Sequence, residues 1–454
     1  TILSIYALNL VIGLSLGLAI DYSLLIVSRY REEIAARGPG AEALRRTLAT
    51  AGRSVLFSAI TVAAALAGLM VFPQRFLFSM GIGGVMVALI AAAVALVTLP
   101  AVLALLGNRV NAGAPRAWRR RNEEADRPVT SGFWYRLSRG VMRRPGAVAA
   151  VTAAALVLVA LPAFGISFTS VDANVLPTSA SARQVSDAID ERFPQDRSEP
   201  ILLAIAAPDD PAAGAELARY ADEVAALPGV AGVVPPRPVG EGTWRIDVFP
   251  AAGGLADESQ ALVRDIRDLP GPHPVLVGGL SASFVDQKAS LAAHLPWAIA
   301  VIAAATIVAL FLMTGSVLLP VKAVVMNLLT LGATLGLLVL IFQDGRLEGL
   351  LDFEATGALD LTQPILLGAI AFGLSTDYAV FLLSRIKEAH DAGLDTTEAV
   401  AVGLQRTGRI VTAAALLFAV AIGAFATSQI TLIKELGVGT ALAVLIDATI
   451  IRAL

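Results

Sequence analysis

Apolar runs of roughly 20 residues recur along this chain of 454 residues, and mostly short polar connections separate them. A helix of that length spans the hydrocarbon core of a bilayer and satisfies its own backbone hydrogen bonds there. Hydrophobic residues make up 56% of the chain and charged residues only 16%, as expected when most of the chain lies in lipid. The sequence therefore predicts an α-helical membrane bundle. Nine spanning helices are predicted near residues 5–27, 54–72, 79–106, 146–165, 295–314, 317–342, 363–383, 408–427 and 435–454.

Arginine and lysine are unevenly distributed over the connections between these runs. Residues 29–53 contain six of them, residues 107–145 contain ten and residues 384–409 contain four, whereas the other short connections contain one each. Connections rich in Lys and Arg stay on the cytoplasmic side of a membrane. We therefore expect a multi-pass protein of the inner (plasma) membrane, in which residues 107–145 form a basic cytoplasmic linker.

Residues 166–292 interrupt the membrane pattern, because Pro, Asp, Glu and Arg return there and the apolar runs become short. Their periodicity predicts the element order β-α-β-β-α-β, which is the ferredoxin-like, or split βαβ, arrangement. The segment connects two helix ends on the side opposite the basic linker, so we expect an inserted extracytoplasmic α+β domain. The predicted strands are 200–207, 230–235, 243–250 and 275–278, and the predicted helices are 212–227 and 257–269.

One short sequence motif occurs twice within apolar helices, 356 residues apart (377 − 21). GLAIDY ends at Tyr22, GLSTDY ends at Tyr378, and the match continues without a gap. A duplication whose two helices run in the same direction is typical of transporters with halves related by an axis along the membrane normal. The matching residues are Asp21 and Asp377, Ser28-Arg29 and Ser384-Arg385, Glu32 and Glu388, Gly52-Arg53 and Gly408-Arg409, and Gly81 and Gly83 with Gly437 and Gly439.

The repeated aspartates lie deep in their helices. Asp21 comes eight residues before Arg29, and Asp377 comes eight residues before Arg385. At 1.5 Å per residue this is about 12 Å into a hydrocarbon layer about 30 Å thick, close to its midplane. A carboxylate at that depth must be paired, hydrated or protonated, and is by default a functional candidate.

Each aspartate is followed directly by a tyrosine. Neighbouring residues on a helix point about 100° apart, so an aspartate does not easily bond the tyrosine next to it. If the two helices face each other, crossed pairs become possible, from Asp21 to Tyr378 and from Asp377 to Tyr22. These four residues are the predicted proton relay, and the alternative is a structural polar clamp with no role in transport.

Four further residues are candidates for supporting the relay. Gly17 and Gly373 lie one turn before the aspartates, where small residues let membrane helices pack closely. Ser58 on the next helix could donate to the acid pair, although serine is also ordinary packing in such helices. Phe381 could line the relay from the cytoplasmic side or belong to the core.

Other charged residues have simpler expected roles. Asp447 is expected to form a structural ion pair with Arg452, and Glu32 and Glu388 are expected on the cytoplasmic surface. The basic run at residues 116–121 could contact anionic lipid or be part of a flexible linker. The chain has no cysteine and its three histidines lie far apart, so we expect no metal site and no cofactor. We also expect no nucleic acid partner.

With these residues identified, the chain resembles the resistance-nodulation-cell division (RND) superfamily and, within it, the mycobacterial membrane protein large (MMPL) family. The segments that carry the resemblance are 17–33 (GLAIDYSLLIVSRYREE), 372–388 (FGLSTDYAVFLLSRIKE) and 447–452 (DATIIR). The resemblance implies a protomer of twelve helices with two porter domains. It also implies proton-driven export of lipids or lipid-like molecules to the cell envelope, with Asp21, Tyr22, Asp377 and Tyr378 as relay residues and no enzyme activity.

Counted in that way, the chain is expected to be a fragment that runs from the fourth into the twelfth helix. Residues 1–106 would contain helices 4–6, residues 146–165 helix 7, residues 166–292 a porter domain and residues 293–454 helices 8–12. The expected partners are a lipid substrate and membrane lipids. The sequence leaves open a monomer or a trimer, and it does not identify the lipid.

Three other functions stay open at this point. Drug efflux is a variant of the same transport reaction. Two intramembrane aspartates also occur in aspartyl intramembrane proteases, although the repeated tyrosines and the duplication favour a transporter. The third is a lipid or sterol sensor that uses the same bundle without transport.

Overall fold

The computed structural model describes residues 5–112, 132–192 and 199–451. These residues form two compact units, one made of the segments before 168 and after 294, and the other of residues 168–294. The first unit is a helical bundle and the second is a small α+β unit.

Eight helical segments within the described residues are long and apolar enough to cross a membrane. A ninth segment, predicted near residues 435–454, is helical over Thr431–Thr449 but carries Lys434, Glu435 and Asp447 within 19 residues. The eight segments are Leu8–Arg37, Ala41–Val71, Arg75–Val110, Pro145–Gly165, Leu280–Thr314, Leu318–Gln343, Gln363–Asp391 and Thr396–Thr427.

Short π and 3₁₀ turns divide several of these segments into separate helices. In chain order the helices are α1 (Ile5–Arg37), α2 (Ala41–Thr47), α3 (Arg53–Ala67), α4 (Arg75–Ala93), α5 (Leu99–Leu106), α6 (Phe133–Arg143), α7 (Pro145–Ala160), α8 (Ser181–Arg192), α9 (Pro211–Ala225), α10 (Asp257–Asp268), α11 (Leu280–Thr314), α12 (Leu318–Leu338), α13 (Glu348–Leu351), α14 (Gln363–Asp391), α15 (Thr396–Gly423) and α16 (Thr431–Thr449). Helices α8, α9 and α10 belong to the second unit.

Local sequence explains where several helices begin. Pro145 and Pro364 stand in the first turns of α7 and α14, where a missing N–H costs no hydrogen bond. Asp395 caps α15, because its carboxylate accepts a hydrogen bond from the Glu398 N–H at 2.8 Å. Pro296 lies inside α11 and removes one backbone hydrogen bond there.

The packing of the bundle repeats the sequence duplication. Helix α1 packs against α4 and α15, and its counterpart α14 packs against α16 and α3. The pairs α3 with α4 and α15 with α16 complete the pattern. Exchanging the two halves therefore reproduces the same neighbours, as an approximate two-fold relation requires.

Many outward-facing side chains of the bundle are large and apolar. Ile90, Leu158, Leu312 and Val420 are 55 to 66% exposed. An apolar surface that surrounds the bundle would be unstable in water and is what lipid contact requires. The fold and the composition thus agree on a multi-pass membrane protein.

Part of the predicted linker at residues 107–145 is an ordered helix on the bundle surface. Helix α6 packs against α15. The Tyr135 N–H donates to Gln405 at 3.0 Å and its hydroxyl donates to Glu398 at 2.9 Å, while Trp134 covers Gly408. The basic run at residues 116–121 lies outside the described residues.

Within the second unit, residues 201–278 follow the element order β-α-β-β-α-β, in which the helices are α9 and α10. Four strands, β2 (Ile201–Ala206), β3 (Val230–Gly240), β4 (Thr243–Pro250) and β5 (Val275–Gly278), form an antiparallel sheet in the order β3-β4-β2-β5. Leu217 and Ile266 bring the apolar faces of α9 and α10 into the core of the sheet. Two further strands are very short, β1 (Phe168–Thr169) and β6 (Leu359–Asp360).

The strand β3 is longer than predicted, since residues 230–235 were expected and the strand continues to Gly240. Pro235 and Pro236 lie inside the strand, although proline cannot donate to a β ladder. Strand β3 lies at the edge of the sheet, and its pairing with β4 shifts register around these residues. An edge strand tolerates proline where an inner strand does not.

Candidate functional site

The two Asp-Tyr motifs, one on α1 and one on α14, lie next to each other in the structure. The Tyr378 hydroxyl donates a hydrogen bond of 2.9 Å to Oδ2 of Asp21. Asp21, Tyr22, Asp377 and Tyr378 are all buried, with 1 to 7% of each residue exposed. The duplication therefore places two acids and two hydroxyls inside the bundle, where water is largely excluded.

The second crossed pair is not formed. Among the described residues, the Tyr22 hydroxyl and both carboxyl oxygens of Asp377 have no hydrogen-bond partner. Ser58 and Thr61 of α3 lie beside the Asp377 carboxyl. The predicted symmetry thus holds for one aspartate and fails for the other.

This one-sided arrangement has a chemical consequence. A buried carboxylate without hydrogen bonds is strongly disfavoured relative to the neutral acid. Asp21 accepts a hydrogen bond from Tyr378, whereas Ser58 and Thr61 lie beside Asp377, so the two acids have different polar neighbours. A site of this kind can exist in states that differ by one proton.

The two supporting glycines pack in equivalent places against unequal neighbours. A Cβ at Gly17 would overlap the ring of Phe418 on α15, and a Cβ at Gly373 would lie 3.4 to 3.5 Å from Val62 on α3. Val62 and Phe418 are themselves 356 residues apart. The glycines therefore bring α1 and α14 close to α15 and α3 rather than to each other.

Phe381 lies one turn below Asp377 and is 3% exposed. The guanidinium of Arg385 stacks over its ring at 5.8 Å, and that of Arg53 stacks over Phe57 at 5.6 Å. Both rings line a cavity of about 520 Å³ that also reaches Ser384. Phe381 therefore separates this cavity from the turn that carries Asp377.

A polar cluster that the sequence analysis missed lies on the other side of α14. The Ser375 hydroxyl contacts Asp447 and lies 2.6 Å from Oδ1 of Asn327, and the Asn327 amide lies 3.4 Å from Thr376. The predicted partner of Asp447, Arg452, lies outside the described residues. Ser375 directly precedes Thr376-Asp377, so a polar pair at that point of an apolar helix was the available signal.

Glu32 and Glu388 lie at the surface of the bundle, with 40 to 42% of each side chain exposed, and both also pair with an arginine of the other helix. Arg29 contacts Glu388 at 3.1 Å, and Arg385 contacts Glu32 at 3.0 Å, so each glutamate bridges to the other helix. The pairs connect the arginine-rich ends of α1 and α14, which we call the basic end of the bundle. The sequence could have predicted these pairs, because Arg and Glu occur at the same spacing in both motifs, 356 residues apart.

No group of three or more His, Asp or Glu side chains in the described ranges is arranged to hold a metal ion. The site therefore offers buried acids and hydroxyls, which are suited to binding and releasing protons.

The sequence matches the profile of the MMPL family over residues 2–148 and 250–454. A putative membrane protein of Streptomyces coelicolor is 44% identical, over all of this chain and 62% of that protein. The trehalose monomycolate exporter MmpL3 of Mycobacterium tuberculosis H37Rv is 37% identical, over 97% of the chain and 50% of the exporter. The mycolic acid-containing lipids exporter MmpL11 of Mycolicibacterium smegmatis is 32% identical, over 100% and 47%.

The chain thus spans 47 to 62% of the length of these three relatives. Among solved structures, SecDF of Thermus thermophilus, a translocon-associated membrane protein, is similar in fold. Its TM-score is 0.54 at 14% sequence identity, over 98% of this chain and 53% of SecDF. That likeness supports the architecture of the bundle and carries no functional argument.

The unequal neighbours of the two glycines generate a prediction about stability. Gly17→Ala should lower the free energy of unfolding by about 1–3 kcal/mol, because its methyl group overlaps the Phe418 ring. Gly373→Ala should have a much smaller effect, and Phe418→Val should restore much of the loss in the Gly17→Ala variant. Thermal unfolding in detergent measures all three, and equal losses for both glycines would contradict the assignment.

The cavity generates a second prediction, which uses the absence of native cysteine. Ser384→Cys should react rapidly with a small charged methanethiosulfonate, because Ser384 lines the cavity. Ser28→Cys is the matched control, since it holds the equivalent place on α1 and is not among the lining residues. It should react at least about tenfold more slowly, a difference that needs about 1.4 kcal/mol. Equal rates would show that the cavity is not specific to the α14 side.

Proposed function

The chain belongs to the MMPL family, and from this premise we propose that it acts in proton-motive-force-driven export of lipids or lipid-like molecules to the cell envelope. Asp21, Tyr22, Asp377 and Tyr378 would form the proton relay, with Gly17, Gly373, Ser58 and Phe381 in support. The observation that carries the proposal is the 2.9 Å hydrogen bond from Tyr378 to Asp21 across two duplicated, buried helices.

The relay would operate through the unequal aspartates. Asp377 lies beside Ser58 and Thr61, whereas Asp21 is bonded to Tyr378. Taking up a proton at Asp377 removes the cost of a buried charge, and losing it restores that cost. Proton uptake and release would therefore change the relative stability of two packings of α1 and α14.

The available driving force is large enough for such a cycle. Moving one charge through 100 mV is worth about 2.3 kcal/mol, and a gradient of one pH unit adds about 1.4 kcal/mol. Together these exceed the energy that separates many pairs of conformations in proteins, which is a few kcal/mol at most.

An apolar cavity supports a lipid-like cargo. It has a volume of about 210 Å³ and lies between α11, α12, α14 and the 3₁₀ turn that follows α3, with an almost entirely apolar lining. Phe72, Ile302, Leu331 and Phe372 are among the side chains that line it. A space of this chemistry accommodates an acyl chain, for which contact with apolar side chains replaces contact with neighbouring lipids.

The α+β unit would act as the porter domain. Its element order and its sheet order β3-β4-β2-β5 are those of a ferredoxin-like, split βαβ arrangement. The arginine-rich connections at the basic end favour a cytoplasmic location for that end in the inner membrane, and on that basis we propose an extracytoplasmic location for this unit. A cargo released from the bundle would then meet the porter domain outside the membrane.

The site supports transport better than intramembrane proteolysis. A proteolytic pair of aspartates shares one proton between two adjacent carboxyls. Here Oδ2 of Asp21 is bonded to Tyr378, and the remaining oxygens of Asp21 and Asp377 have no partner among the described residues, so the two acids are not bonded to each other.

The acids give the direct test of the proposed function. Asp21→Asn and Asp377→Asn should each abolish proton uptake coupled to lipid movement, because a side-chain amide does not bind and release a proton as a carboxyl group does. The assay is proton flux and lipid transfer after reconstitution of the protein in liposomes with an imposed pH gradient. Asp391→Asn is the control, because Asp391 lies on the same helix but is 59% exposed at its side chain. Coupled transport that survives in either amide variant, at the level of Asp391→Asn, would contradict the relay.

A further inference from the structure

Two arginines and two glutamates at the basic end form a closed ring between α1 and α14. Arg29 contacts Glu32 at 3.1 Å on its own helix and Glu388 at 3.1 Å on the other. Arg385 contacts Glu388 at 3.0 Å on its own helix and Glu32 at 3.0 Å on the other. Each arginine thus touches both glutamates, and each glutamate touches both arginines.

The ring is not an ordinary surface ion pair. The side chain of Arg385 is 6% exposed and that of Arg29 is 12% exposed, whereas those of the glutamates are 40 to 42% exposed. Arg29 also contacts Glu33 at 2.9 Å, and Arg37 covers that glutamate from the outside. A guanidinium buried to this extent requires its carboxylates, whereas isolated pairs in water contribute little.

The ring lies at a fixed distance from the acid pair. Arg29 follows Asp21 by eight residues, and Arg385 follows Tyr378 by seven, so both stand roughly 10–12 Å further along their helices. The backbones of α1 and α14 pack mainly against other helices, α1 against α15 and α14 against α3. Direct contacts between α1 and α14 include the ionic ring and the bond from Tyr378 to Asp21.

From this geometry we infer that Arg29, Glu32, Arg385 and Glu388 are positioning residues, which hold α1 and α14 in the register that lets Tyr378 bond Asp21. This inference rests on the proposed proton relay. The ring acts on the relay through the helix backbones, and none of its four members touches an aspartate of the relay. The pairing across the helices, rather than the presence of charge, is the property that matters.

The repeated Arg-x-x-Glu motif allows a test that separates the effect of pairing between the helices from the effect of net charge. Exchanging the two residues on α14, as Arg385→Glu with Glu388→Arg, preserves the pair within the helix and the net charge. It makes both contacts to α1 repulsive. The same exchange on α1, as Arg29→Glu with Glu32→Arg, also breaks the contacts between helices. Making both exchanges together restores all four pairs with reversed polarity.

Two readouts are needed, one of geometry and one of flux. Because the chain has no cysteine, Ser28→Cys and Ser384→Cys can carry spin labels next to the ring. Electron–electron double resonance then gives the distance between α1 and α14 without any transport reaction. Proton flux in liposomes is measured on the same exchanges without labels.

We expect each single-helix exchange to broaden or lengthen the distance distribution and to lower proton flux at least about tenfold. The fourfold exchange should return the distribution to that of the original protein and bring flux to within about threefold of it. The most informative comparison is between the double variant that carries both Arg29→Glu and Glu32→Arg and the fourfold exchange. Both proteins share the new repulsion between positions 29 and 33, and they differ only at α14.

The inference is overturned if the single-helix exchanges leave both readouts unchanged, or if the fourfold exchange is as impaired as they are. If an exchange fails to fold, Glu32→Gln with Glu388→Gln weakens the same contacts isosterically and should change both readouts in the same direction. If the original protein moves no protons, the proposed function fails, while the distance measurement still decides whether the ring sets the helix register.

Discussion

The burial of two carboxyl groups in apolar helices is the constraint on which the structure depends. At mid-membrane depth a carboxylate is tolerated only with hydrogen bonds, water or a proton. Tyr378 supplies one hydrogen bond to Asp21, and Ser58 and Thr61 lie beside Asp377. The bundle therefore holds two buried acids with different polar neighbours.

The rest of the bundle keeps this arrangement in place. Gly17 and Gly373 let α1 and α14 approach α15 and α3, which sets the depth and rotation of the two acid helices. The crossed contacts of Arg29 and Arg385 connect the same two helices at the basic end. Close packing and ionic contacts thus act at different depths on one helix pair.

Much of this organisation could be predicted from the sequence, because it is repeated. The motif that ends in Asp21-Tyr22 and its copy at Asp377-Tyr378 predicted the two helices and the hydrogen bond between Tyr378 and Asp21. The asymmetry could not be predicted, because it depends on neighbours that differ between the halves, such as Val62 and Phe418. The β-α-β-β-α-β order was visible in the hydrophobic periodicity, whereas the length of β3 depended on its position at the sheet edge. The pairing of Glu32 and Glu388 with arginines of the opposite helix was not predicted, because it requires the ends of α1 and α14 to lie side by side.

The most direct test of the account observes the acids themselves. Infrared difference spectroscopy of the protein in lipid, as pH is varied, resolves the C=O stretch of protonated buried carboxyls. The account predicts bands that disappear one at a time in Asp21→Asn and Asp377→Asn. The Asp21 band should shift in Tyr378→Phe, because its hydrogen bond is lost, and should stay in place in Ser58→Ala. If no such bands are observed, or if the Asp21 band does not shift in Tyr378→Phe, these acids do not exchange protons in the bonded arrangement described here.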